Sequence, residues 1–356
     1  MKMQDEATVD LFTQGPDTFD PLIIKDRFGD NFNTNVSLAR FTSARIGGLA
    51  EGLLMAESID DLVEMTSFLW EIRIPFIVLG GGSNVLVSDS GVRGVVLLNK
   101  ARRVEFDMNS EPPTVWVASG TNFGVLARQA AERGLAGLEW AAGIPGTVGG
   151  AVFGNAGAHG GDIAGNLIVA EILHREWEDS GSTNGNLPRM LIHRQEWKQE
   201  RFEFNYRTSM PKKEAGVEGI NQRGQIGRDI EQPGSVILSA LLQLEHSTKE
   251  AVESRLDELV AYRRKTQPPG ASMGSMFKNP PDGNAGELID KAGLKGTRIG
   301  DAAISSLHAN FFINYGEATA QDVWELINLA KGVVASKFGI NLELEIQLIG
   351  SWEMQN

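Results

Sequence analysis

The chain has 356 residues, 42% hydrophobic and 22% charged, a globular composition long enough for two or three domains rather than one core. Its net charge of -13 argues against a nucleic-acid partner, since binding a polyanion relies on Lys and Arg displacing counterions. A local basic pocket or a helix N-terminus still suits a phosphorylated small ligand. With no cysteine there are no disulfides, thiolate nucleophiles or Cys-ligated metals; the five histidines show no metal-binding spacing, and no metal is expected.

The N-terminus has neither the basic start nor the apolar run of a signal peptide, and no segment approaches the length of a membrane span. A soluble cytoplasmic protein is expected. Residues 1–36, acidic and weakly periodic, read as a loosely attached extension. From Ala50 to Leu98 a βαββ rhythm follows. Ser58 and Asp61 form a capping-box signature opening an amphipathic helix, and Phe76–Leu79, Val85–Val87 and Gly94–Leu98 are short apolar strands. Thr114–Ala118 predicts a strand and Phe123–Arg133 an Ala-rich helix closed by Gly134. Beyond a glycine-dense stretch, polar inserts at Asp179–Pro188 and Lys212–Pro233 read as surface loops. Val236–Leu241 is a strand, and Thr248–Arg264 has helical spacing. Thr319 with Asp322 caps a second amphipathic helix that runs to Gly339, and Leu342–Leu348 alternates like a strand.

Gly80-Gly81-Gly82-Ser83-Asn84 allows positive φ and brings amides close to a ligand, as a pyrophosphate cradle requires. It is neither a GxGxxG fingerprint nor a P-loop, and alone it reads as a tight strand–turn–strand connection. A second run, Gly143-Ile144-Pro145-Gly146-Thr147-Val148-Gly149-Gly150, is soon followed by Gly154-Asn155-Ala156-Gly157-Ala158-His159-Gly160-Gly161. Each glycine adds entropic cost on folding, so this density favours close approach of backbone to a flat or phosphorylated ligand.

GGGSNVLV, GIPGTVGGAVFGNAGAHGG and Arg45-Ile46-Gly47-Gly48 resemble the FAD-binding segments of the UDP-N-acetylenolpyruvoylglucosamine reductase family of peptidoglycan precursor synthesis, in its shorter subgroup. The match runs in order from Phe41 to Gly350, interrupted at the two inserts. The resemblance implies an α+β protein with a FAD-binding fold like that of vanillyl-alcohol oxidase and p-cresol methylhydroxylase, followed by a C-terminal α+β substrate domain. It divides the chain into an extension (1–36), two FAD-binding subdomains (37–103 and 104–240) and a substrate-binding domain (241–353). FAD is then the cofactor and NADPH the hydride-donating co-substrate. Cofactor contacts would fall to Arg45, Gly80, Gly81, Gly82, Ser83, Asn84, Gly143, Ile144, Pro145, Gly146, Thr147, Gly149 and Gly150.

The implied reaction reduces an enolpyruvyl ether of a UDP-sugar to a lactyl ether, so the protein must stabilise an enolate-like charge and donate one proton. Phe204-Asn205-Tyr206-Arg207-Thr208-Ser209 resembles the family's FGYR(D/N)S, with Asn205 replacing its glycine. Arg207 presents fixed donors suited to a carboxylate or enolate oxygen. Gly274-Ser275-Met276-Phe277-Lys278-Asn279-Pro280 keeps the pattern GSxFKNP, which makes Ser275 the proton donor. Leu342–Gly350 resembles LExEVxxIG, with Glu345 as the functional acid; alternation puts Glu343 on the same face. Tyr206, Lys278, Asn279 and His308, the last in a HANFxxN segment, are the expected substrate contacts.

Two other readings stay open at the level of sequence. One is a flavin oxidase of the same fold, for which His159 is the nearby residue able to hold flavin covalently. The other is a catalytically idle nucleotide-sugar binder. The set Arg207, Ser275 and Glu345 favours the reductase, because an oxidase needs a base where this set offers an anion holder and a proton donor.

Overall fold

Structure begins earlier in the chain than its composition suggests. The computed structural model describes residues 20–178, 189–215, 232–281 and 283–352. Pro21 takes the first helical position and Asp20 accepts from the Leu22 amide at 2.9 Å, so a helix, Pro21–Phe28, starts there. Ile24 on that helix is fully buried, and the strand Phe32–Ser37 pairs antiparallel with Leu49–Ala56. The extension expected over 1–36 is therefore corrected: from Pro21 onward it is a helix followed by an edge strand of the first sheet.

That sheet has four strands, in the order Phe32–Ser37, Leu49–Ala56, Val92–Asn99, Phe76–Leu79; the last three run parallel. Helix Ile59–Glu71 covers it, with the capping box at Ser58 and Asp61 formed as expected. Leu62, Met65, Leu69 and Trp70 are buried on its inner face. The short strand Val85–Val87 leaves this sheet and pairs parallel with Gln347–Ile349 near the C-terminus.

The second sheet is antiparallel, ordered Arg189–Lys198, Leu167–Glu178, Ser235–Gln243, Thr114–Ala118, Val104–Asp107. Helices Phe123–Ala131 and Val148–Gly154 contribute to its apolar core. The third sheet, ordered Ala271–Ser275, Phe311–Asn314, Ala302–Ile304, Arg298–Ile299, packs with helices Ala285–Lys291 and Ala320–Phe338. The second predicted capping box, Thr319 with Asp322, opens the latter, and Gly339 at φ 69 closes it.

The cores cross the boundaries drawn from sequence. Leu173, Val236 and Leu238 of the second sheet lie in the core of the first, while Ala44, Ile46 and Leu86 of the first region lie in the C-terminal core. Each of the Leu, Val and Ile side chains contributes roughly 1.5–3 kcal/mol when fully buried, so the regions stabilise one another.

Two expectations need adjusting. The strand predicted over Leu342–Leu348 is ladder-paired only at Gln347–Ile349. Its earlier part makes one isolated bridge, Leu344 to Phe277, with Glu345 N–H bonded to Met276 O at 2.9 Å and Lys278 N–H to Glu343 O at 2.9 Å, and bends at Glu345 and Ile346. The second insert does not begin at Lys212. That residue is 4% exposed within a short helix, Met210–Glu214. At the insert's other end, Gln232 donates to the carbonyls of Leu69 and Ile74. The first insert, 179–188, lies outside the described residues. Among those described, no helix is long and apolar enough to cross a membrane.

Candidate active site

The two glycine turns, Gly80–Asn84 and Gly143–Thr147, pack directly on one another. A Cβ on Gly81 would stand 2.8 Å from the Cα of Gly146, and one on Gly146 would stand 2.8 Å from Ser83 Oγ. Gly82 at φ 60 and Gly146 at φ 117 also occupy backbone conformations that favour glycine. Ser83 Oγ donates to the Pro145 carbonyl at 3.1 Å, tying the turns together. Beside them lies a cavity of about 500 Å³. The amides of Gly81, Gly82 and Ser83 on its wall have no protein acceptor among the described residues. At Gly154 and Gly274, also on the wall, a Cβ would meet nothing within 4 Å, so a larger side chain there would occupy open space.

Arg207 reaches this cavity from a tight turn closed by backbone hydrogen bonds between Asn205 and Thr208. The turn holds Arg207 at φ 58, an uncommon conformation for a residue with a side chain. Lys212 Nζ donates to the Arg207 carbonyl at 2.6 Å, and Asn155 Nδ2 donates to Asn205 O at 3.0 Å. The turn is thereby fastened to the helix that follows the second glycine turn. Arg207 Nε donates to Glu345 Oε1 at 2.6 Å.

Glu345 is held from two sides. Its amide bonds to Met276 O, and its carbonyl accepts from Asn84 Nδ2 at 3.1 Å. Burial pushes its carboxyl above the usual carboxylate range, while the charge and hydrogen bond of Arg207, then Lys212 and Lys278, pull the other way. Glu343 is mostly exposed and lies 3.7 Å from Lys278 Nζ, so the two acids have different environments. Ser275 ends its strand, on the cavity wall, where the ladder to Phe311–Asn314 shifts register at Gly274, φ 77.

The cavity thus gathers Gly80, Gly81, Gly82, Ser83, Asn84, Ile144, Pro145, Gly146, Thr147, Gly149, Gly150, Arg207, Ser275 and Glu345. Six other expected site residues are not on its wall. Gly143 packs beneath Arg263, and Arg45 is exposed at φ 57. Tyr206 is 50% exposed, with its hydroxyl 3.5 Å from the Asn279 amide. Lys278 pairs with Glu343, while Asn279 Oδ1 accepts from Ala285 N–H at the start of a helix. His308 Nδ1 accepts from the Asn310 amide at 3.2 Å, and burial lowers its pKa. His159, the candidate for covalent flavin, stands edge-on to Tyr262 with ring centres 5.6 Å apart, off the wall.

Sequence reasoning missed Arg263, Gln267 and Phe153, all lining the cavity. Arg263 has no acid partner among the described residues, and burial lowers its pKa below the usual guanidinium range. Its signal was present: it lies near the end of helix Lys249–Thr266, just ahead of the loop that leads to Ser275. Read as one charge among many on a solvated helix, it passed unnoticed.

Residues 50–172 match the model of a FAD binding domain, and residues 266–349 match that of the UDP-N-acetylenolpyruvoylglucosamine reductase C-terminal domain. A UDP-N-acetylenolpyruvoylglucosamine reductase of Chloroflexus aggregans is 36% identical over 326 residues, covering 92% of this chain and 100% of that protein. One from Bacillus subtilis is 37% identical, covering 92% of this chain and 97% of its own length. The chain belongs to the UDP-N-acetylenolpyruvoylglucosamine reductase family. The solved reductase from Thermus caldophilus has the same fold, with a TM-score of 0.67 at 34% identity over 88% of this chain and 98% of that one. The α+β FAD-binding fold expected from the family resemblance holds. The cavity's residues also fit the cofactor, since acceptor-free amides and side-chain-free glycine positions on one wall suit a dinucleotide's pyrophosphate and flat ring.

Proposed function

We propose that the chain is a FAD-containing, NADPH-dependent oxidoreductase that reduces UDP-N-acetylglucosamine enolpyruvate to UDP-N-acetylmuramate in peptidoglycan precursor synthesis. The observation that carries the reading is that Arg207, Ser275 and Glu345, far apart in sequence, line one cavity with both glycine turns. FAD, when bound, supplies the relay of hydride from NADPH to the terminal carbon of the enolpyruvyl group. Everything else falls to the chain.

The amides of the turn Gly81–Ser83 and the Gly146 turn would hold the pyrophosphate of the cofactor. Arg207, braced by its bond to Glu345, directs the rest of its guanidinium at the substrate carboxylate, where negative charge develops. Ser275 gives the proton to the adjacent carbon. Glu345, whose burial favours its protonated form, keeps a proton close by. Lys278, Asn279, Tyr206 and His308 lie off the cavity wall, and their reading as substrate contacts rests on the family motifs alone. NADPH and the UDP-sugar take turns at the same cavity. The cytoplasm, where nucleotide sugars and NADPH are held, is the expected compartment.

The purified protein is expected to be yellow, to bleach with NADPH, and to recover its absorbance on adding the enolpyruvyl substrate. Ser275→Ala should leave bleaching nearly intact and slow the recovery by about 10²–10⁴-fold, the usual range for a lost general acid. Stopped-flow absorbance measures both steps. Unchanged rates for both would remove Ser275 as the proton donor. A colourless protein that cannot be reconstituted with FAD would end the reductase reading.

A further inference from the structure

Ser275 is paired with Phe311 at the end of its strand, just beyond an irregularity in the ladder. The ladder between Ala271–Ser275 and Phe311–Asn314 shifts register between Ser272 and Ser275, and Gly274 turns to φ 77. Ordinary strand pairing is therefore interrupted one residue before the group whose placement the reaction depends on. The segment that follows, Met276–Lys278, is held in a different way.

On one side stands Asn310, 3% exposed. Its Oδ1 accepts from the Phe277 amide at 2.9 Å, and its Nδ2 donates to the Phe277 carbonyl at 2.8 Å. Its own backbone carbonyl accepts from the Met276 amide at 2.8 Å. One carboxamide thus satisfies both backbone groups of one residue, as a neighbouring strand would. On the other side, Met276 O accepts from Glu345 N–H and Lys278 N–H donates to Glu343 O. The segment following the serine is clamped between Asn310 and the segment carrying the acid.

We propose that Asn310 is a positioning residue for Ser275, fixing the serine against Glu345 through its clasp on Met276 and Phe277. The inference rests on the reading of Ser275 as proton donor. It also changes the meaning of the sequence around His308: the residue that matters to the site is the asparagine two positions on, while His308 accepts from that asparagine's amide. Asparagine is needed because the clasp uses a donor and an acceptor together. Aspartate keeps the bond from Phe277 N–H and sets an oxygen against the Phe277 carbonyl; serine reaches neither group in the same geometry.

The test compares the holoenzyme with Asn310→Ser, Ser275→Ala and the double variant, following flavin reduction by NADPH and flavin reoxidation by the enolpyruvyl substrate, in H₂O and D₂O. Asn310→Ser should reduce its flavin within about threefold of the wild-type rate and reoxidise it about 10²-fold more slowly, the loss expected for a displacement near 1 Å. Its solvent isotope effect on reoxidation should rise. In the Ser275→Ala background the same substitution should cost less than about threefold, because groups acting as a unit are not additive. Amide exchange by mass spectrometry, on protein without substrate, should be faster over residues 271–278. Should Asn310→Ser not retain FAD, Asn310→Asp is read against the same expectations.

Two results would overturn the proposal in distinguishable ways. Multiplied losses in the double variant, or equal slowing of both half-reactions, would make Asn310 merely structural and leave Ser275 standing. Slow reoxidation in Asn310→Ser but not in Ser275→Ala would remove the serine's assignment and this inference with it.

Discussion

A carboxyl group only 15% exposed, 2.6 Å from a guanidinium, is under two opposed pressures. Desolvation favours the neutral acid and Arg207 favours the anion; for Glu345 desolvation is the larger, so its pKa lies above the ordinary 4.5. A raised acid makes the folded state bind its proton more tightly than the unfolded chain does. Its contribution to stability is then fully present below pH 4.5 and is lost as pH rises through the folded pKa. Glu345→Gln removes that titration. The melting temperature of the variant should therefore gain on wild type as pH rises from 4 towards 7, and then level off. Because the readout is a slope, the fixed cost of the substitution drops out. Wild type gaining on the variant over that interval would mean that Arg207 dominates and the acid is depressed.

At the scale of elements, what was legible in the sequence is what local chemistry decides. The capping boxes at Ser58–Asp61 and Thr319–Asp322 form as read, because each needs only residues three apart. Residues 20–36 were misread because their order comes from outside: Ile24 joins a core shared with Leu173 and Val236, far along the chain. The glycine turns were legible as a candidate ligand site, yet part of their glycine serves to let Gly81 and Gly146 pass backbone to backbone. Tyr206, Lys278, Asn279 and His308 stood in recognisable motifs, but a motif does not say which of its side chains faces a cavity and which fastens a loop. A partner no local pattern announces also stands at the start of helix Ala320–Phe338. Asp89 accepts there from the amides of Ala320 at 2.8 Å and Gln321 at 2.9 Å, two of the free N–H groups at that end. Asp89→Ala should lower stability by about 1–2 kcal/mol, as lost caps do, and Asp89→Asn should restore part of it. Urea unfolding checks both, and no change in midpoint would show that Thr319 caps the helix alone.

For the molecule as a whole, the site is a product of assembly. The glycine turn carrying Asn84, the turn carrying Arg207 and the C-terminal segment carrying Glu345 come from three regions, and no one of them encloses the cavity. The regions are interlocked near it. Val85–Val87 pairs with Gln347–Ile349, Ser88 Oγ donates to Ser351 O at 2.6 Å, and Asn314 Nδ2 donates to Ala44 O at 3.0 Å. Parting the regions that line the cavity therefore means breaking cores that span them, and full loss of FAD should coincide with unfolding. Heating the holoprotein while following flavin fluorescence and far-ultraviolet ellipticity should give coincident transitions. Free FAD at a hundredfold excess over its dissociation constant should add about 2.7 kcal/mol to stability and raise the shared midpoint. Flavin leaving well below the loss of ellipticity would show instead that the regions part while each stays folded, and that the shared cores do not hold the FAD site together.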